Sequence, residues 1–325
     1  MSIATKFSRR VVVSLLAAAA CGAWADAPYP NKTIRMVVPF AAGGPNDIMG
    51  RILAQQLSVE LKQPVIVENK AGAGGVIGTD MVAKSNPDGY TLAFISGPFT
   101  MAPALRTNMP YDTVKDLVAI SKVAESPMVM MVPSTSKFKT AKELMEFARK
   151  NPEKLSYGSG GVGSTPHLST ELLGLVTGAK MMHVPYKGGG ESIKALMSGE
   201  IDMLIDSITS TAGPIGSGRV KAVAVAQVQQ NPKLPGVPTF EESGIQNFSM
   251  THWVGVVAPA NTPAAIVSTL NSQIVKALKD PEVAKKFQDL GAKPIGDSSS
   301  AFQKFIADET KGWKQTVKSA NIQAQ

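Results

Sequence analysis

Two stretches place glycines directly ahead of a residue able to open a helix: Val37–Arg51, VVPFAAGGPNDIMGR, and a later one beginning at Leu155, LSYGSGGVGSTPHLSTELL. In the first, an apolar run from Ile34 to Val38 passes through Pro39-Phe40 to Gly43-Gly44, where the backbone turns without Cβ clashes. Asp47 then stands where a helix N-cap belongs. In the second, a short strand leads through Gly158, Gly160, Gly161 and Gly163 to Ser164 or Thr165 as the opening residue. A helix start carries unpaired N–H groups and a partial positive charge, so each junction can hold an anion without a cationic side chain. Two such clefts, well apart in the chain, suggest one small anionic ligand held between two lobes.

Other groups complete the inventory. The loop Asn69-Lys70-Ala71-Gly72-Ala73-Gly74-Gly75 follows a predicted strand, and its small side chains let a ligand come close to the backbone; a plain tight turn explains it equally well. Ser96-Gly97 closes another strand and offers a hydroxyl. Asp206 ends a strand toward the same edge, where a carboxylate would repel an acidic ligand but orient donors or receive an ammonium group. The turn Tyr186–Gly190 completes the rim. All these residues lie at the carboxyl ends of predicted strands, where open α/β sheets bind ligands.

Catalytic and cofactor motifs are poorly supported. Gly158 to Gly163 fits G-x-G-x-x-G, but His183 stands where a ribose-binding acid is needed, so no nucleotide cofactor is expected. Lys187 has the wrong order for a phosphate loop, and His167, His183 and His252 lack zinc-site spacing. Ser164 and His167, three residues apart, could form a nucleophile and base, but a capping serine above a packed histidine accounts for them better.

The elements that must position these groups alternate short β-like runs with amphipathic helices, which predicts an α/β protein with largely parallel sheets. Strands are expected at Thr33–Val38, Pro64–Glu68, Tyr90–Ile95, Met128–Val132, Lys154–Tyr157, Met181–Val184, Ile201–Ile205, Val220–Ala226 and Trp253–Ala258. A helix from Asp47 to Leu61 shows an apolar face at Met49, Ile52, Leu53, Leu57 and Leu61, and Thr140 with Glu143 reads as a capping box. Beyond Pro263 the chain reads as helical, interrupted at Pro281, with a last helix burying Phe302, Phe305, Ile306 and Trp313.

The chain has 325 residues, 44% of them hydrophobic, a length suited to about two domains. Lys6, Arg9 and Arg10 precede an apolar run too short to span a bilayer, and Ala23-Trp24-Ala25 is a cleavage signature, so residues 1–25 read as a signal peptide cut after Ala25. An exported, soluble protein follows as the expectation. Cys21, the sole cysteine, would leave with the signal, unless it is a lipid attachment site. Removing three basic residues lowers the net charge from +8 to +5, with no basic run interleaved with aromatics, so nucleic acid is not an expected partner. Ser121–Val132 and Thr251–Ala258 are continuous extended segments without tether composition. If both cross between lobes, lobe one is residues 26–124 plus 253–325 and lobe two is residues 125–252, an arrangement suited to hinge closure. A monomer is the default, since no apolar helix stripe stands out.

The segments YPNKTIRMVVPFAAGGPNDIMGR, VENKAGAGGVIG, SYGSGGVGSTPHLSTELL, HVPYKGGGESIKALMSGEIDM and the Pro235–Thr239 turn resemble the Bug family, extracytoplasmic solute receptors of tripartite tricarboxylate transporters. The resemblance covers nearly all of the chain after the leader. It implies a two-lobed type II periplasmic binding-protein fold closing over a ligand carboxylate, with membrane permease subunits as partners. It also implies that Phe40 roofs the cleft, that Ala42, Gly43, Gly44 and Asp47 form one junction, and that Gly161, Gly163, Ser164, Thr165 and His167 form the other. Gly50, where the family more often has alanine, should loosen its helix by roughly 0.5–1 kcal/mol. Di- and tricarboxylates, acidic amino acids and aromatic acids all remain open as ligands. A ligand-presenting sensor subunit and a serine hydrolase using Ser164 and His167 stand as alternatives.

Overall fold

The apolar run ahead of the first glycine junction forms a strand inside the larger sheet, where its side chains at Ile34, Met36, Val37 and Val38 are fully buried. The computed structural model describes residues 28–226, 233–248 and 250–319; residues 1–25, the expected signal peptide, with Cys21 among them, lie outside these. In chain order the strands are β1 (Ile34–Val38), β2 (Val65–Asn69), β3 (Thr91–Ser96), β4 (Leu117–Pro133), β5 (Ser156–Ser159), β6 (Met182–Pro185), β7 (Leu204–Ser207), β8 (Val220–Ala226), β9 (Thr251–Pro259) and β10 (Lys293–Pro294). The helices are α1 (Pro45–Leu61), α2 (Val76–Ala83), α3 (Pro98–Leu105), α4 (Ala141–Lys150), α5 (Thr165–Thr177), α6 (Gly189–Ser198), α7 (Ile208–Gly216), α8 (Ala264–Lys279), α9 (Pro281–Asp289) and α10 (Ser299–Ser319).

The larger sheet has the order β10-β4-β9-β3-β1-β2, with β7 and β8 also paired to β4, while β5 and β6 form a small parallel pair. β1 runs parallel to β2 and β3, with Ile34 opposite Val65 and Arg35 opposite Thr91. The pairing directions are more mixed than the alternation of strands and helices suggests. β4 is antiparallel to β7, β8, β9 and β10, and β3 is antiparallel to β9. A crossover helix between consecutive strands imposes a parallel pairing; β4 and β9 are far apart in the chain, so no crossover fixes their direction.

β4 is one strand that changes partners along its length. Leu117 to Pro127 pair with β9, ending at Pro127 opposite Thr251. From Met128 onward the strand pairs with β7 and β8, Met128 facing Ser207 on one side and Ala226 on the other. The two-residue period then sends Met128, Met130 and Val132 into one hydrophobic core and Val129 and Met131 into another. A third core, around Val37, Ile95, Trp253 and Phe302, backs the β1–β3 region.

Helix faces follow the same logic. α1 buries Met49, Leu53, Leu57 and Leu61 and leaves Ile52 half-buried. Each buried leucine is worth about 1.5–3 kcal/mol over an exposed one. Gly50 faces the sheet: a Cβ there would stand 3.1 Å from Val38 Cγ2 and 3.4 Å from Phe94 Cδ1, so glycine lets α1 sit close on β1 and β3. Thr140 caps α4 by accepting the Glu143 amide, and Glu143 in turn accepts the amide of Lys139, one residue before the cap. α10 buries Phe302 and Ile306 in one core and Trp313 and Val317 in another. Helices α3 and α7 are not expected from the sequence, because Pro103 and Pro214 lie inside them and read as breakers.

Candidate ligand-binding site

α1 begins with Gly44 as N-cap and Pro45 in its first turn, which places Asp47 at the third helical position rather than at the cap. Proline is pre-set for a helix start, so the helix begins before Asp47 is reached. The carboxylate still serves the helix start. Its Oδ2 accepts the Gly43 amide at 2.8 Å and Arg51 Nε at 3.0 Å, and its Oδ1 accepts Asn69 Nδ2 at 2.9 Å. Asn69 Nδ2 also donates to the Phe40 carbonyl at 3.1 Å, and Arg51 Nη2 donates to Asn69 Oδ1 at 2.9 Å. Burial opposes ionisation of Asp47, but the bonds from Arg51, Gly43 and Asn69 outweigh it and hold the carboxyl below its usual range.

The second junction repeats this plan with a histidine. Ser164 is the N-cap of α5, Pro166 lies in the first turn, and the Gly163 amide donates to His167 Nδ1 at 3.2 Å. The Ser164 side chain does not cap the helix; its hydroxyl donates back to the Gly161 carbonyl at 2.7 Å and tightens the loop. His167 therefore uses its ring on Gly163 and Ser164 uses its hydroxyl on Gly161, which leaves the pair without the mutual bond a hydrolase would need. Beneath the loop, His167 stacks on His183 with ring centroids 4.3 Å apart, and His183 stacks on Tyr157 at 4.8 Å. His183 Nε2 and Ser159 Oγ are 2.7 Å apart, and Ser159 Oγ accepts the Gly161 amide. Burial lowers both histidines to about 4, so the stack is neutral at neutral pH.

Both junctions open onto one cleft of about 400 Å³, within the size range of small-molecule sites. Of the residues picked out from the sequence, Phe40, Gly44, Gly74, Ser96, Ser164, Thr165 and Asp206 line it. Gly43, Asp47, Gly161 and His167 are outside the lining, and the bonds above tie them into the loops that carry it. Gly97 packs on the site from behind: a Cβ there would be 3.3 Å from Thr165 Oγ1. Gly163 lines an adjoining hollow with Leu105, Arg106 and Gly74. Ala42 is exposed on the turn, and Tyr186 turns its hydroxyl to Glu200.

The cleft also contains residues that no sequence motif singles out. Asn46 and His252 are the most informative. Asn46 Nδ2 donates to Ser96 Oγ at 3.2 Å, and Asn46 Oδ1 is 3.1 Å from His252 Nε2. Burial holds His252 neutral, near 4, so its Nε2 carries the proton that Asn46 Oδ1 accepts. Asn46 sits beside Asp47 in a recognised junction, so its neighbourhood was legible; His252 comes from β9, and nothing local in the sequence assigns it to the site. Gly188 and Gly189, from the expected rim turn Tyr186–Gly190, line the cleft at the start of α6, and Ser207 and Ser210 line it at the start of α7. Gly160 is the close contact between loops: a Cβ there would stand 3.1 Å from the Gly189 nitrogen. Among the described residues no cluster of three metal-ligating side chains is present.

Comparison with known proteins fixes the family. Residues 49–322 match the family described as "Tripartite tricarboxylate transporter family receptor", TctC. The chain belongs to this family. Protein BugT of Bordetella pertussis is 37% identical over 292 residues, covering 89% of this chain and 90% of that protein. Among solved structures, a Rhodopseudomonas palustris protein with adipate superposes with a TM-score of 0.83 at 31% identity, covering 90% of this chain and 98% of that one. MatC from the same species, with bound malate, superposes at 0.81 with 31% identity over 89% of this chain and 100% of that one. This TctC receptor therefore has the α/β periplasmic binding-protein fold, and its family is one of solute-binding receptors rather than enzymes. No helix among the described residues is long and apolar enough to cross a membrane.

Proposed function

We propose that this TctC-family chain is exported to the periplasm, captures a small carboxylate in the cleft between its two glycine-built helix starts, and delivers it to the permease of a tripartite transporter. The observation that carries the reading is that the starts of α1 and α5, each shaped by a glycine amide tied to the third helical side chain, line the same cleft. Backbone N–H groups and helix dipoles there favour an anion without a buried cation. The malate and adipate bound by the two Rhodopseudomonas proteins are small dicarboxylates, in keeping with this chemistry.

The proposed lobes, residues 26–124 with 253–325 and residues 125–252, would close about the strands that join them. The change of partners in β4 between Pro127 and Met128 supports a boundary near this point. Closure would bring Phe40 and Gly44 toward Ser164 and Thr165 and shed water from the carboxylate.

Isothermal titration with C4–C6 dicarboxylates, citrate, acidic amino acids and aromatic acids tests the reading. A micromolar complex corresponds to about −8 kcal/mol, which a few charge-assisted bonds of about 1.5–3 kcal/mol each can reach after ordering costs. Binding of at least one acid, weakened tenfold or more by Ser164→Ala combined with Gly160→Ala, is the expected result. Binding that ignores both substitutions overturns the site.

A further inference from the structure

Asp206 is an acceptor in a cleft whose two helix starts present donors. It ends β7 and is only 8% exposed, yet it lines the cleft. Its Oδ1 accepts the Ser207 amide at 2.6 Å, and the Ser210 hydroxyl, 3.1 Å from Ser207 Oγ, also favours the ionised carboxylate. Both partners are neutral. No lysine, arginine or histidine forms an ion pair with it among the described residues. Its Oδ2 lies 3.6 Å from the position a Cβ on Gly189 would take, so the missing side chain keeps the space beside that oxygen clear. Lys187 lines the rim but is exposed and is not paired with Asp206.

A buried carboxylate facing a ligand site imposes a choice of ligand. Burial raises its pKa to about 6, so at neutral pH it is mostly ionised, at an energetic cost that a cation beside it would relieve. A plain dicarboxylate seated with one carboxylate on the helix starts puts its remaining charge or apolar carbon near Asp206, and neither satisfies it. An ammonium group offers both charge and hydrogen-bond donors. Asn46, Ser96 and His252 are already engaged with one another, which leaves Asp206 as the charged acceptor facing the ligand.

We propose that Asp206 is the specificity-determining residue of the cleft, selecting carboxylates that also carry an ammonium group, that is, amino acids, over the deaminated acids of the same carbon skeleton. The inference rests on the reading of the cleft as a carboxylate site and narrows it to one ligand class. Asp206 receives the ammonium, while the starts of α1 and α5 take the carboxylate.

Matched pairs separate this inference from the reading beneath it. Titration calorimetry on the wild-type protein would use L-aspartate with succinate, L-glutamate with glutarate, and L-phenylalanine with 3-phenylpropionate. In every pair that binds, the amino acid is expected to bind at least tenfold more tightly. Asp206→Asn, checked for folding by circular dichroism, is expected to bring the two members of the pair within about threefold. Equal or tighter wild-type binding of the deaminated members overturns the role of Asp206 while leaving the carboxylate site standing. A full preference retained in Asp206→Asn overturns that role as well. If none of the six acids, nor citrate, binds the wild-type protein, the carboxylate reading itself falls and the inference falls with it. The wild-type comparison decides the matter even if the variant does not fold.

Discussion

Asp47 and His167 hold equivalent positions in two separate helix starts: each accepts the amide of the glycine four residues before it, Gly43 at 2.8 Å and Gly163 at 3.2 Å. The two glycines share a left-handed backbone, with φ of 79° and 82°, which turns each loop so that its amide points back into the first helical turn. The chemistry of the acceptor differs. One is an ionised carboxylate tied to Arg51 and Asn69; the other is a neutral imidazole stacked on a second histidine. Both devices fix the loop while adding no net charge to the cleft, since Asp47 is matched by Arg51 and His167 is neutral.

Replacing Asp47 by alanine should therefore cost far more than a surface substitution. The Gly43 amide, Asn69 Nδ2 and Arg51 all lose an acceptor, and Asp47 is only 2% exposed. A loss of about 2–3 kcal/mol in urea denaturation is expected, because buried donors left unsatisfied cost about 1–3 kcal/mol and charge-assisted bonds sit at the upper end. Asp47→Asn, which keeps an acceptor oxygen, should recover about half of it. A change below about 0.5 kcal/mol for alanine would show that the network does not hold the junction.

The glycines should divide into two kinds. Gly163→Ala meets an unfavourable φ and a Leu105 methyl at 3.3 Å, so it should lower stability by about 1–2 kcal/mol. Gly160→Ala has no such backbone strain, but its Cβ would press at 3.1 Å on the Gly189 nitrogen and push apart the loops after β5 and β6. Its effect should appear in affinity, with a several-fold rise in Kd and a small change in thermal midpoint. Calorimetry of ligand binding beside thermal melting of both variants tests the division, and equal effects on both readouts would refute it.

Much of this arrangement was legible because it is local. The strand–glycine–helix junctions announce themselves in consecutive residues, and so do the capping box at Thr140 and the boundaries of β8, which match the expected Val220–Ala226. Asp47 belongs to the expected junction but in a different role, since the preference of Pro45 for the first turn is stronger than that of Asp47 for the cap. What escaped was non-local. His252 reaches the cleft only because β9 pairs with β3 and with β4, and the direction of those pairings is set by packing between distant segments. The helices α3 and α7 escaped for a different reason, since each carries an internal proline that tertiary contacts override.

Acid should destabilise the protein before its carboxylates are fully protonated. His167, His183 and His252 are lowered by burial to about 4, from an ordinary value near 6.5. The unfolded chain therefore binds more protons than the native one between about pH 6.5 and pH 4, and stability falls as pH falls through that window. One such histidine contributes at most about 3 kcal/mol. Asp206, raised to about 6, acts in the opposite sense, because the native state takes up its proton first. Glu171 opposes the lowering at His183. His252→Gln keeps a donor for Asn46 and should flatten the stability profile between pH 6.5 and pH 4, whereas Asp206→Asn should steepen it. Denaturation curves at half-unit pH steps measure both slopes, and parallel profiles for wild type and His252→Gln would contradict the assignment.

The packing behind the site makes a sharper demand at Gly255. This residue lies in β9 opposite Lys122 of β4 and Ile95 of β3, and a Cβ there would stand 2.3 Å from Phe302 Cζ and 3.0 Å from the Ser121 carbonyl. Phe302 cannot easily retreat. It is fully buried, edge-on to Trp253 at 5.7 Å, and it anchors α10 to the sheet. Gly255→Ala should therefore destabilise by about 2–3 kcal/mol through overpacking. Phe302→Leu alone should cost about 1–2 kcal/mol, since it removes ring contacts but leaves a large apolar side chain. Combined, the two should cost less than their sum by about 1 kcal/mol or more, because the smaller side chain makes room for the new methyl. Additive losses in that double-mutant cycle would mean that the strand, and not the ring, yields to the methyl.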